Sequence, residues 1–287
     1  MEPVTEPVTE PVTEPVTEPV TEPVTEPVID FQEYCLFCRT VQSTALRGLF
    51  EVLFHIIHDS NLTWDGDGVS LVTMDSARCA IIHMALFADK FDEYYCDSKV
   101  IMGVNMASVF KLLKTASTSD TITLFCKKKS VHELGIIIEN SEKNTSTNYT
   151  LKLLDCDSEN IMVPEVVFDR VLCLPSVYLQ RTCREMQNLG DYITVKAKDS
   201  TLQLVCEGNF ATQETCIGES DSCLSVLETT GCDVEGLFSL RYLTLFTRAS
   251  GLCATVNLCL KNEFPLVMVY NVANLGQLRF CLAARVG

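Results

Sequence analysis

From residue 29 onward the chain switches between two patterns. In one, apolar side chains recur at every second position; in the other, at every third or fourth. The first predicts half-buried strands and the second amphipathic helices. Residues 31–41 read as a strand. Ser43 stands where it can cap a helix over 44–58, with Leu46, Leu49, Phe50, Leu53 and Ile57 on one face. Residues 62–64 and 68–74 flank a turn at 65–68 whose glycines suit positive φ. Strands are expected at 79–86 and 91–96. Residues 100–104 lead into a short helix at 106–114, and strands follow at 121–126, 133–139 and 149–154.

The order then repeats. A strand at 166–174 precedes a helix capped by Ser176 and running to 188, stopped by Gly190. Residues 192–196 and 201–206 form a hairpin across Asp199-Ser200. Strands near 211–217 and 223–227, a helix at 240–248, and strands at 255–260, 266–270 and 278–283 complete the half. Phe110-Lys111-Leu112-Leu113-Lys114-Thr115-Ala116-Ser117 resembles Leu243-Thr244-Leu245-Phe246-Thr247-Arg248-Ala249-Ser250. An internal duplication explains both likenesses. With four helices for this many strands, the helices are expected on one side of the sheets.

Between the halves, residues 149–168 begin as a strand and lose periodicity in an acidic run, Asp155 to Glu159. They continue as Ile161, Met162 and Val163, stopped by Pro164. This segment reads as an interdomain connector. The organisation expected is a tail at 1–28, a first domain at 29–148, the connector at 149–168 and a second domain at 169–287. The tail holds six copies of Glu-Pro-Val-Thr followed by Glu26, Pro27 and Val28. Proline at every fourth position and the lack of apolar mass predict a disordered, acidic arm.

Charge narrows the function classes. The chain has 38 acidic and 22 basic residues, a net charge of −16. Without the seven acids of the tail the balance is 31 against 22, or −9. A uniformly acidic surface repels nucleic acid, so binding to it requires cations gathered on one face. The helices offer them: Arg181 with Arg184, Lys111 with Lys114, Arg241 with Arg248, and Arg47 on the first helix. Each pair is either a solvated face or part of a positive lining toward phosphates, which would bind without sequence preference.

Catalytic chemistry is poorly supported. The four histidines lack partners at metal spacing, Cys35-x-x-Cys38 has no second pair, and Asp65 and Asp67 read as turn residues. Fifteen cysteines, most in apolar runs such as those around Cys79, Cys126, Cys206, Cys253, Cys259 and Cys281, read as buried free thiols rather than a disulfide framework. No membrane span and no cofactor motif is read.

Several stretches, in order, resemble the proliferating cell nuclear antigen family, the eukaryotic and viral sliding clamps. They are Leu71-Val72-Thr73-Met74-Asp75-Ser76, Met102-Gly103-Val104-Asn105, Asp120-Thr121-Ile122-Thr123-Leu124 and Leu151-Lys152-Leu153-Leu154-Asp155. The same holds for Leu240-Arg241-Tyr242-Leu243, Phe264-Pro265-Leu266-Val267 and the closing run 278–286. The resemblance covers residues 31 to 286. It implies an α+β DNA-clamp fold of two duplicated domains, with helices inside, antiparallel sheets outside, and three subunits closed head to tail around duplex DNA. By it, Arg47, Lys111, Lys114, Arg181, Arg184, Arg241 and Arg248 face DNA. Met74, Ile81, Ile161, Val163, Pro164, Pro265, Cys281 and Ala283 form a pocket for partner peptides. Tyr149, Cys183 and Gln187 lie at the subunit interface, and Lys198 matches a modified lysine.

The partners implied are double-stranded DNA, further copies of the chain as a homotrimer, DNA polymerase and other proteins with clamp-binding peptides, and an ATP-dependent loader. The setting implied is the nucleus or a viral replication site. No catalysis and no cofactor are implied. Three departures bear on this. Glu51 and His55 share the first helix surface with Arg47, Arg78 replaces the usual pocket histidine, and Cys281 replaces a pocket aromatic. The pocket replacements imply a different choice of partners, and the reduced charge of the first helix keeps open a second reading, a diverged checkpoint or accessory scaffold with a weak DNA-sliding role or none.

Overall fold

The two halves are folded as copies of one another. The structure, a computed structural model, describes residues 31–157, 161, 164 and 166–285; the tetrapeptide tail and Val163 lie outside the described residues. The first half runs β1 (Tyr34–Thr40), α1 (Ser43–Ile56), β2 (Asp59–Asp65), β3 (Gly68–Met74), β4 (Ala80–Phe87), β5 (Glu93–Cys96), β6 (Val100–Asn105), α2 (Met106–Leu113), β7 (Asp120–Lys127), β8 (Glu133–Asn140) and β9 (Thr145–Lys152). The second runs β10 (Arg170–Pro175), α3 (Ser176–Gln187), β11 (Tyr192–Lys198), β12 (Thr201–Glu207), β13 (Thr212–Gly218), β14 (Ser225–Thr229), β15 (Val234–Ser239), α4 (Leu240–Phe246), β16 (Thr255–Leu260), β17 (Leu266–Val272) and β18 (Gly276–Leu282). Adding nine to each strand number of the first half gives the second.

The sheets carry the same correspondence. The first half builds β5-β1-β7-β8-β9 and β4-β3-β2-β6; the second builds β14-β10-β16-β17-β18 and β13-β12-β11-β15. One joint links them: β18 pairs antiparallel with β4, from Gly276↔Leu86 to Leu282↔Ala80, fusing two of the four sheets into a nine-stranded one. Phe280 of β18 is fully buried at this joint and stacks on Phe246 of α4 at 4.5 Å, with interplanar angle 5°.

The helices pack on one another, α1 against α2 and α3 against α4, with α1 also meeting α4. Leu46, Leu49, Phe50, Val52 and Leu53 of α1 are buried. At ~1.5–3 kcal/mol for each fully buried side chain, this face rather than any cap holds the helix. The expected serine caps are not formed. The Ser43 hydroxyl donates to Ser117 O at 2.7 Å, and that of Ser176 to Cys253 O at 2.5 Å. Equivalent serines thus tie the first helix of each half to the loop that follows its second helix.

Other expectations are corrected. The strand expected at 166–174 begins at Arg170, because the connector is still open to solvent at Val167, 78% exposed. Between the strand expected at 223–227 and the helix at 240–248 the structure adds β15. The helix expected at 240–248 ends at Phe246, so Arg248 sits on a following 3-10 turn, Thr247–Gly251. Of the cysteines expected to be buried, Cys79 is exposed and Cys253 and Cys281 are half-buried. At the turn 65–68 only one of the two glycines takes a positive φ, Gly68 at 141, and the Asp65 side chain accepts from the Asp67 amide as a turn residue should. Among the described residues no helix is long and apolar enough to cross a membrane.

Candidate functional site

Two surfaces stand out, one on the helices and one on the sheets. On the helices, Lys111, Lys114, Arg181, Arg184, Arg241 and Arg248 are exposed. The seventh expected cation, Arg47, is half-buried, and its Nη1 donates to Ala116 O at 2.6 Å beyond the end of α2. That bond ties α1 to α2 and restricts how far the guanidinium can reach outward. Arg181 pairs with Glu185 at 3.4 Å and lies over the Tyr178 ring. Arg184 and Arg248 line one cleft of roughly 340 Å³ between α1, α3 and the 3-10 turn, opposite Glu51 and His55. Gln180 closes it, donating to Thr247 O at 2.8 Å. The α1 face contributes an aromatic pair instead of further cations: Phe54 stacks on Phe110 at 5.6 Å.

On the sheet side, the register builds an apolar row. Met74 pairs with Ile81, Ile81 with Cys281, Cys281 with Val267, and Val267 with Cys259. Their neighbours along each strand, such as Ala80, Ile82, Phe280, Leu266 and Met268, face the core. Strand alternation therefore turns the row outward. The row crosses the joint, so its floor belongs to both halves.

Two depressions adjoin the row. One, roughly 590 Å³, includes Met74, Asp75, Arg78, Ile101 and Cys156, with Ile161 of the connector. The other, roughly 830 Å³, includes Leu237, Phe264, Pro265, Ala283 and Arg285. Such volumes are of ligand-pocket size. Of the expected pocket residues, Met74, Ile81, Ile161, Pro265 and Cys281 are half-buried, Pro164 and Ala283 are exposed, and Val163 lies outside the described residues.

The connector is pinned where it leaves β9. Leu154 N donates to Gly103 O at 2.8 Å, and the Asn61 side chain donates to Cys156 O at 3.2 Å. Only glycine fits at 103, since a Cβ there would meet Leu154 O at 2.3 Å. At its far end Lys261 Nζ donates to Val167 O at 3.0 Å, and Phe168 packs edge-on to Phe264.

The expected interface residues divide. Gln187 is exposed and Tyr149 is half-buried against its own core. Cys183 is a correction: it is 0% exposed beneath α3, and burial pushes its thiol up to about 12. Its side chain cannot reach another copy. Lys198 is exposed beside the Asp199 turn and pairs with Asp233 at 3.5 Å. Asp233 is also met by the buried Arg170 at 3.6 Å.

A hydrogen bond outside the expected site residues links the two surfaces. The Asp75 carboxylate accepts from the amides of Ala77, Cys79 and Ala80 and from the Tyr242 hydroxyl of α4. Partial burial works against its charge, but the Tyr242 hydroxyl and the three amides hold its carboxyl below the usual range. The matching hydrogen bond, with burial, pushes Tyr242 up to about 12. Both residues lie in stretches quoted above for the resemblance; their pairing across 167 positions leaves no local sequence signal.

Four helices packed on one another, antiparallel sheets and one element order used twice define a clamp architecture. The proliferating cell nuclear antigen N-terminal domain model matches residues 36–160, and the C-terminal domain model matches residues 162–285. A relative described as probable DNA polymerase sliding clamp 1, from Paramecium bursaria Chlorella virus 1, is 34% identical over 249 residues, 85% of this chain and 95% of its own. The proliferating cell nuclear antigen of Chaetomium thermophilum is 29% identical over 253 residues, 87% of this chain and 97% of its own. The chain belongs to the proliferating cell nuclear antigen family of DNA sliding clamps.

Proposed function

We propose that three copies of this chain close head to tail around duplex DNA, slide along it, and hold a polymerase and other replication or repair proteins at the template through their short peptides. The observation that carries this reading is the joint between β18 and β4. By the offset of nine, the equivalents of β18 and β4 are β9 and β13. Both are sheet edges with no partner on their outer side among the described residues. The same joint made between copies would pair β9 of one with β13 of the next. Such a contact is heterologous, and it closes into a ring when the rotation allows. It would also bury edges that otherwise invite aggregation.

The exposed cations of α2, α3 and α4 supply phosphate contacts that carry no base identity. The row from Met74 to Val267 supplies an apolar floor for a peptide's aliphatic and aromatic anchors. The gain is effective concentration, since a tethered polymerase stays at its template between steps. In this reading the chain catalyses nothing, an ATP-dependent loader opens the ring, and the site of action is the nucleus or a viral replication site. Among the described residues no group of three or more His, Cys, Asp or Glu could hold a metal.

One observation favours the second reading, an accessory clamp with a weak hold on DNA. The α1 face offers Glu51, Phe54 and His55 around an Arg47 already bonded to Ala116 O. A topological assay separates the two. The protein is loaded by a clamp loader onto nicked circular DNA, and the circle is then cut. Retention on the circle and loss within minutes of linearisation is the expected result. Equal retention on both forms, or none on either, would overturn the sliding reading.

A further inference from the structure

The hydrogen bond between Tyr242 and Asp75 joins the two surfaces described above. Tyr242 lies on α4 next to Arg241, one of the exposed cations. Asp75 follows Met74 at the end of β3 and organises the loop to β4. Its carboxylate accepts from two amides of that loop and from the Ala80 amide that opens β4, its amide donates to Ala80 O, and its carbonyl accepts from the Arg78 amide. The loop in turn holds the far wall of the apolar floor, because Cys79 O accepts from the Ala283 amide at 2.9 Å. Two residues further on, the Arg285 amide donates to Leu237 O.

A chain of hydrogen bonds therefore runs from α4, through Asp75 and the β3–β4 loop, to the C-terminal segment. A loop this short and this exposed has little apolar packing of its own; Ser76, Ala77, Arg78 and Cys79 are all exposed. The carboxylate adds three side-chain bonds to the backbone bonds that hold it. The carboxylate's one side-chain donor from the second half is the Tyr242 hydroxyl, among the bonds of the described residues.

We propose that Asp75 and Tyr242 are positioning residues for the partner-peptide pocket, the Tyr242 hydroxyl orienting the Asp75 carboxylate so that the β3–β4 loop and the segment around Ala283 stand at the spacing a peptide requires. This rests on the pocket reading above. A hydrogen bond to a charged group is among the stronger ones a protein makes, because the donor meets a full charge. Losing it releases the loop without removing any group that touches the peptide.

The test uses the full chain and a short fluorescein-labelled peptide with aliphatic and aromatic anchors. Fluorescence anisotropy gives affinity, light scattering the assembly state and thermal unfolding the stability. Y242F is expected to bind about tenfold more weakly (~1.4 kcal/mol), with unchanged mass and an unfolding midpoint within about 2 °C. D75N should weaken binding comparably, and the double variant no further than the weaker single one, because the two residues act through one another. Wild-type affinity in Y242F overturns the inference. So does additive loss in the double variant, or loss that accompanies dissociation or a large fall in the midpoint. A wild-type protein that ignores the peptide overturns the pocket reading itself, and this inference with it.

Discussion

Replacing Arg184 and Arg248 by glutamine removes two guanidiniums that line the same cleft on the helical face. Among the described residues neither forms an ion pair, unlike Arg181, which is partly neutralised by Glu185. Each cation that reaches a backbone phosphate displaces condensed counterions, adding about 0.9 to the slope of log affinity against log salt on duplex DNA. Two lost contacts therefore flatten the slope by about 1.8. Between 50 and 200 mM salt, a fourfold change, that is about a twelvefold smaller drop in affinity. The assay is anisotropy of a short labelled duplex titrated across that range. Arg285→Gln serves as the control, because Arg285 stacks over Tyr192 at 4.1 Å in the C-terminal segment, beside the pocket. A slope change below about 0.5 in the double variant, or an equal change in the control, would refute the assignment of the helical face to DNA.

Phe280→Ala empties a fully buried site at the joint between the halves. A large-to-small aromatic change costs ~3–5 kcal/mol, so the unfolding midpoint should fall by at least about 6 °C; a fall under 2 °C would mean the joint is not part of the core. Iodoacetamide at pH 8 should label the exposed Cys79 and Cys232 within minutes and leave Cys183 and Cys259 unlabelled until unfolding, since burial pushes the last two thiols up to about 12 and about 11; mass spectrometry of digests reads this directly. Asp120 accepts from the Ser117 amide and hydroxyl and from the Asn140 side chain, and these bonds hold its carboxyl below the usual range. With the folded value depressed, its contribution is full above the unfolded carboxylate value and is lost as pH falls through the folded one. Asp120→Asn should therefore be less stable than wild type in urea at pH 7, with the gap closing toward pH 3; a gap independent of pH would count against the charge-based account.

Much of the fold was legible because its signals are local. Leu46, Leu49, Phe50 and Leu53 mark α1 by spacing alone, and the likeness of 110–117 to 243–250 exposes the duplication. The strand β15 escaped notice because, of its six residues, only Val234 and Phe238 are buried, and Gly236 interrupts the alternation. The pairing of β18 with β4 joins positions almost 200 residues apart, so no window of sequence contains it. Cys183 shows the opposite failure. Leu179, Cys183 and Met186 recur at helical spacing and are all buried in α3, so periodicity argued for the core where the resemblance implied an interface. Arg47 has the composition of a phosphate contact, but its bond to Ala116 O depends on how α2 ends, which the residues of α1 do not encode.

The pairing of β9 with β13 between copies is tested most directly by the mass of the full-length protein in solution. Multi-angle light scattering after size exclusion should give about 96 kDa, three copies of the 31.9 kDa chain. A mass of 31.9 kDa at every concentration would contradict it.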